Sequence, residues 1–197
     1  MKPLHYINII AIISILTGCQ KPEPEKIAHP EHLSNLNVFL GIRSLRADYQ
    51  LPRGIGAYYP VVFFFHAGQL VETAKGPGLI SIQADNQLPT NVQLDLMWQV
   101  VDGTFRKASL VDGLNEHELT KRFAFWDKIK SYSMCQVRPE EDLRFGGAKI
   151  LGIVASSENE QVSLNTHEIA KSGTYVIAVG IVTAKSRQEI VDQFLKK

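Results

Sequence analysis

Tyr58-Tyr59-Pro60-Val61-Val62-Phe63-Phe64-Phe65 is the stretch that decides the fold class. Its unbroken apolar and aromatic side chains read as a strongly apolar strand, and such a run belongs in a core. His66-Ala67-Gly68-Gln69 follows with turn chemistry, and Leu70-Val71-Glu72-Thr73 reads as the returning arm of a hairpin. Upstream, Asn37-Val38-Phe39-Leu40-Gly41-Ile42 reads as an opening strand, and the polar run from Ser44 to Gly56 as a loop. Downstream, Gly76-Pro77-Gly78 breaks the chain before Leu79-Ile80-Ser81-Ile82.

The clearest hairpin lies further on. Residues 92–100 alternate in part, Asp102-Gly103 supplies a two-residue turn, and Thr104-Phe105 leads back toward Leu110, with Trp98 as the anchor of the ladder. After Asp112-Gly113 the period changes. Leu119, Phe123, Trp126 and Ile129 recur at helical spacing, and Asn115 with Glu118 three residues later resembles a capping pair, so a helix is expected over 116–130. Arg138-Pro139-Glu140-Glu141-Asp142 reads as a charged, solvated loop. Residues 148–154 and 175–182 read as buried strands, and Ser186 with Glu189 opens a short terminal helix carrying Ile190, Val191, Phe194 and Leu195. Together these predict an α+β domain, mainly antiparallel β and sandwich-like, with one inserted amphipathic helix and a short C-terminal helix. Strands and helices do not alternate and no solenoid period is present, which argues against a doubly wound sheet.

The N-terminus is organised differently. Leu16-Thr17-Gly18-Cys19 closes an apolar stretch that starts at Leu4, interrupted only by His5, Asn8 and Ser14 and preceded by Lys2. That stretch is too short and poorly flanked for a stable membrane span. It resembles the lipobox of Gram-negative lipoproteins: small residues beside the scissile bond suit the signal peptidase, and the Cys19 thiol accepts the diacylglycerol. The resemblance implies cleavage of residues 1–18 and acylation (palmitate among the chains) of Cys19. Gln20, in place of the aspartate that retains such proteins at the inner membrane, implies the periplasmic leaflet of the outer membrane. Lys21-Pro22-Glu23-Pro24-Glu25-Lys26 and His29-Pro30 favour an extended, solvated spacer. The organisation expected is therefore signal peptide over 1–18, lipidated cysteine and tether over 19–32, and one β-rich domain over 33–197.

Charge and composition narrow the function. Of 21 Lys and Arg, only Lys2 falls in the signal segment, leaving 20 basic against 20 acidic residues in the mature chain. A neutral body has no general field to gather polyanions, so nucleic acid is not an expected partner. With Cys19 acylated, Cys135 has no second thiol for an internal disulfide and reads as a small buried apolar residue.

No segment carries a complete catalytic motif. His117-Glu118 opens like a zinc-protease helix, but Lys121 stands where the second imidazole belongs, so a helix-surface pair is the better reading. Gly54-Ile55-Gly56 and Gly76-Pro77-Gly78 do not lie in strand-to-helix turns, and Pro77 lacks the amide a phosphate cradle needs. Ser156-Ser157 reads as a polar loop without a nucleophile elbow. The six histidines, at 5, 29, 32, 66, 117 and 167, do not pair at ligand spacing, and Glu140-Glu141-Asp142 lacks the alternation and glycine of a calcium loop. No cofactor, metal or catalytic residue is expected, and the chain reads as a non-enzyme.

One further resemblance bears on the partner. Leu88-Pro89-Thr90-Asn91-Val92-Gln93-Leu94-Asp95-Leu96-Met97-Trp98, then Gly103-Thr104-Phe105, then Leu119 to Phe123, is similar to a family of small Gram-negative lipoproteins. Residues 150–154 add a similar late strand, and Ala155-Ser156-Ser157-Glu158 replaces a glycine-rich turn seen there. That family includes immunity proteins that bind and block type VI secretion lipase effectors in the periplasm. The resemblance implies a membrane contact through the lipid anchor and a protein partner of the lipase effector class. Arg43, Arg46, Tyr49 and Arg53 are the candidate anchors for such a partner, set against their reading as ordinary surface residues. A structural or assembly lipoprotein of the envelope or a secretion apparatus, and a periplasmic hydrolase, are the alternatives.

Overall fold

Pro60 explains how the central strand is flanked. β2 (Ala57–His66) pairs along its length with β11 (Tyr175–Ala184), but its other edge is shared by β3 (Gln69–Lys75), opposite Val61–His66, and β4 (Ile80–Ser81), opposite Ala57–Tyr58. Tyr59 and the donor-less Pro60 lie between the two, where no ladder bond to a neighbour is required. The computed structural model describes residues 40–75, 80–81, 91–113, 115–159, 162 and 168–196, all in the unit Asn37–Lys197. The signal segment, Cys19, the proline spacer, Asn37–Phe39 of the expected opening strand, Gly76-Pro77-Gly78, Leu88-Pro89-Thr90 and His167 lie outside the described residues.

The protein is mainly antiparallel β, built from two sheets packed as a sandwich. One runs β1 (Ile42–Gln50), β5 (Asn91–Val101), β6 (Thr104–Asp112), β7 (Asn115–Glu118). The other runs β3-β2-β11-β10-β8, with β8 spanning Ser131–Gln136 and β10 spanning Ala148–Ser157. β4 is attached to β2, and β9 (Arg144–Phe145) to β10.

The expected hairpins form with the turns their residues demand. Asp102 and Gly103 both take positive φ, 51° and 74°, as do Ala67 and Gly68 at 49° and 83°. Two left-handed residues in a two-residue loop match the right-handed twist of the flanking strands.

The unbroken apolar run of β2 has a direct physical cause: both faces of its sheet are buried. Tyr58, Val62 and Phe64 join Leu151, Val154, Ile177, Val179 and Ile181 against the four-stranded sheet, which contributes Leu45, Ala47, Leu94, Leu96, Trp98 and Leu110. Tyr59, Val61, Phe63 and Phe65 belong to a second core with Ile150, Ile153, Ala155, Val176 and Ala178. Ile169, Ile190, Phe145, Phe194 and Leu195 pack on that second core. The terminal helix α1 (Arg187–Ile190), continued by a π turn over Val191–Leu195, therefore serves as its cover. Ser186 caps α1 by accepting from the Glu189 amide at 3.3 Å, and the Glu189 carboxylate accepts from the Lys185 amide at 3.0 Å, as the sequence predicts.

Two expectations are corrected. The continuous helix over 116–130 is not formed. Asn115–Glu118 is β7, paired with Ser109–Asp112, and two 3-10 turns follow at Thr120–Phe123 and Trp126–Lys128. Side-chain bonds to β6 hold these turns: Asp127 accepts from the Phe105 amide at 2.6 Å, and Thr120 Oγ1 sits 3.4 Å from the Ala108 amide. The turns deliver Leu119, Phe123 and Trp126 into the core, so the apolar spacing was meaningful although the helix was not. Ser156 and Ser157 do not sit in a polar loop. They end β10, are 1% and 4% exposed, and the Ser156 hydroxyl donates to the Tyr175 carbonyl at 3.1 Å.

Candidate interaction surface

Arg43, Arg46 and Tyr49 are on β1, so the loop expected from Ser44 is strand as far as Gln50, and only Arg53 lies in the turn after it. Alternation along a strand then decides which of them can act together. Leu45 and Ala47 point into the core, which places Arg46 on the outer face of the four-stranded sheet. Arg43 and Tyr49 are in phase with the core residues, at opposite ends of β1, about 20 Å apart at ordinary strand rise. The four do not form one cluster.

Arg46 stands directly across from Asp95 on β5 and holds it with two donors, Nε to Oδ1 at 2.8 Å and Nη2 to Oδ2 at 3.4 Å. The bond to Asp95 raises the guanidinium's pKa further and fixes the side chain's direction. Register puts Arg46, Asp95, Val111 and Glu116 in one row across the face, and Ser44, Met97, Ser109 and Glu118 in the next. Lys107 Nζ pairs with Glu116 at 2.7 Å, a bond that holds the Glu116 carboxyl below its usual range. Lys107 and Glu116 line a depression of about 240 Å³ together with Ile42, Met97, Ser109 and Val111. A partly apolar floor inside a charged rim is the layout of a protein-contact patch.

Tyr49 belongs to a different environment. Lys149 Nζ lies 5.6 Å from its ring centroid, and burial raises the phenol while neighbouring Arg144, itself paired with Asp142 at 2.9 Å, lowers it. Arg53 is exposed in the turn. His117 and Glu118 sit on β7, not on a helix. Cys135 is half-buried on β8 at the margin of the second core, and burial pushes its thiol up. On the far face of the larger sheet a groove of about 660 Å³ opens between the Gly146-Gly147 turn and the terminal π turn, floored by Phe63 and Val182. Among the described residues no group of three or more His, Cys, Asp or Glu side chains gathers as a metal site.

One polar pair was not anticipated from the sequence. Asp112 is 5% exposed and faces Tyr58 across the sandwich, its two oxygens 3.4 and 3.3 Å from the phenol oxygen. Burial lifts the Asp112 carboxyl above its ordinary range, and the Tyr58 hydrogen bond only partly offsets this; burial and Asp112 together push the phenol far up. A carboxyl whose folded pKa exceeds its unfolded value of about 4 favours folding while protonated and opposes it as pH rises through the folded value. Asp112→Asn keeps an acceptor for Tyr58 and removes the buried charge. The variant is expected to be about 1 kcal/mol more stable than wild type at pH 7, with the gap closing below about pH 4. Urea unfolding at the two pH values measures this, and a gap that widens on acidification contradicts it.

Fold and surface together define a two-sheet antiparallel β-sandwich with one backed sheet. No family model, no curated protein and no solved structure matches the chain.

Proposed function

We propose that this chain is a lipid-anchored, non-catalytic binding protein of the periplasmic leaflet of the outer membrane. Its partner in this reading is a type VI secretion lipase or phospholipase effector, which it binds and inhibits as an immunity protein. The observation that carries the reading is Leu16-Thr17-Gly18-Cys19 followed by a proline-rich spacer ahead of a sheet-built body. Each acyl methylene buried in a bilayer contributes roughly 0.8 kcal/mol, so two or three chains on Cys19 hold the protein durably without a span. A lipase delivered to the periplasm attacks that same bilayer, and a tether of some dozen residues raises the inhibitor's effective concentration where the enzyme works. Inhibition of this kind asks for a stiff surface with a few arginine or aromatic anchors, and the Arg46–Asp95 and Lys107–Glu116 pairs around Met97 supply one.

Two measurements test the two halves. Cys19→Ser is expected to shift the protein from the membrane to the soluble fraction and to abolish the acyl mass increment at the N-terminus; an unprocessed, unacylated wild-type chain overturns the anchor. A type VI lipase effector encoded in the same gene neighbourhood, where one is found, is expected to lose its activity on phospholipid vesicles when mixed with the protein at equal molarity. Full activity in excess protein overturns the inhibitor reading.

A further inference from the structure

Among the described residues the two sheets end on β1 and β7 and on β3 and β8, with the two-residue β4 and β9 beside the latter pair. These edges are not protected alike. Open strand edges invite pairing with other chains, and folded proteins blunt them with charges, proline, bulges or short length. β1 carries Arg43, Arg46 and Asp48, while β7 is four residues long with two glutamates. β3 carries Glu72 and Lys75 and breaks register against β2 between Phe64 and Phe65. β8 has none of these devices. Ser131-Tyr132-Ser133-Met134-Cys135-Gln136 contains no charge and no proline, and its register with β10 runs without a shift from Ser131 to Gln136.

The phase of that ladder is set at its end, where the Val137 amide donates to the Leu151 carbonyl at 2.8 Å. In an antiparallel pair the bonded residues alternate, so Cys135, Ser133 and Ser131 bond to β10. The amides and carbonyls of Tyr132, Met134 and Gln136 then point outward, and among the described residues no strand pairs with that side. The side chains at the same positions are unusually open for their type, Tyr132 at 39% and Met134 at 42% exposure. Lys130 and Arg138 bracket the strand, both exposed and neither in an ion pair among the described residues.

These charges select the occupant. Two copies pairing through β8 about Met134 would set Lys130 of each against Arg138 of the other, a repulsion repeated at both ends. We propose that β8 instead takes an extended segment of a partner protein as an added antiparallel strand, with carboxylates at its ends facing Lys130 and Arg138. This holds whether or not the partner is a lipase, and its test uses no lipase.

The probe is a nine-residue synthetic peptide of alternating threonine and valine with glutamate at both ends, compared with the same peptide ending in lysine. The full chain in mild detergent is followed by amide hydrogen exchange. The glutamate peptide is expected to slow exchange at Tyr132, Met134 and Gln136, and the lysine peptide to need about tenfold higher concentration for the same effect. Met134→Pro, which removes one outward amide, should abolish the slowing. Should that variant fold poorly, Lys130→Glu with Arg138→Glu is expected to reverse the preference between the peptides. No slowing by either peptide, slowing confined to β3, equal response to both peptides, or protection of β8 by self-association without peptide each overturns the proposal.

Discussion

Trp98→Ala is expected to cost about 3–5 kcal/mol, much of the 5–15 kcal/mol that holds a domain of this size together. Trp98 is 1% exposed and stands where three parts of the structure meet. It comes from β5; Phe123 and Trp126, with centroids 6.4 and 5.4 Å away, come from the two 3-10 turns; Tyr132, edge-on at 6.2 Å, comes from β8 of the opposite sheet. Truncation leaves a cavity that neighbours held by separate backbone bonds cannot close, and it removes several ring contacts at once. Trp98→Phe separates packing from polarity. Among the described residues no acceptor faces the indole Nε1, so its removal breaks no hydrogen bond among them and the loss is mainly volume. Phenylalanine should therefore cost less than half as much as alanine. Guanidinium unfolding of both variants measures this, and an alanine variant within 1 kcal/mol of wild type would show that the aromatic cluster is not a keystone.

The same aromatic cluster shows how far the sequence could be read. The sandwich class and the strands around 57–66, 91–112, 148–157 and 175–184 were legible because hydrophobic runs and two-residue turns are local signals. The helix over 116–130 was not, because spacing alone does not separate one helix from two tight turns presenting the same residues. The deciding contacts, Asp127 to the Phe105 amide and the Leu119 amide to the Ala108 carbonyl, join residues that are neighbours only once β6 is in place. β1 was missed for a related reason. Its alternation of Leu45 and Ala47 with Arg46 and Asp48 has period two, but a small alanine among charged residues gives a weak apolar signal. The candidate surface suffered most. Sequence marked Arg46 but not Asp95, Met97, Lys107 or Glu116, which join it only through cross-strand register. Asp112 was not singled out in the sequence, and only the opposing sheet makes it a buried acid facing Tyr58.

Gly56→Ala is expected to cost about 3 kcal/mol, through a clash with backbone and not through lost flexibility. A methyl group at Gly56 would lie 2.0 Å from the Lys185 carbonyl oxygen and 2.9 Å from its carbon, while the Gly56 amide already donates to the Ala184 carbonyl at 2.9 Å. Backbone cannot swing aside as the end of a long side chain can, so β2 and β11 must part where they enter their pairing. The displaced carbonyl belongs to the residue before Ser186, which caps α1, and the Lys185 amide is the one held by Glu189. Moving it loosens the cap, and with the cap goes the seating of Ile190 and Phe194 on the second core. Gly54→Ala is the control: its φ of +82° strains any side chain, but nothing lies within 4 Å of the added methyl, so about 1 kcal/mol is expected. Thermal unfolding should rank the two clearly, and hydrogen exchange in Gly56→Ala should rise first at residues 187–195. Equal losses in both variants would mean that strand entry tolerates the methyl group and that α1 is seated independently of it.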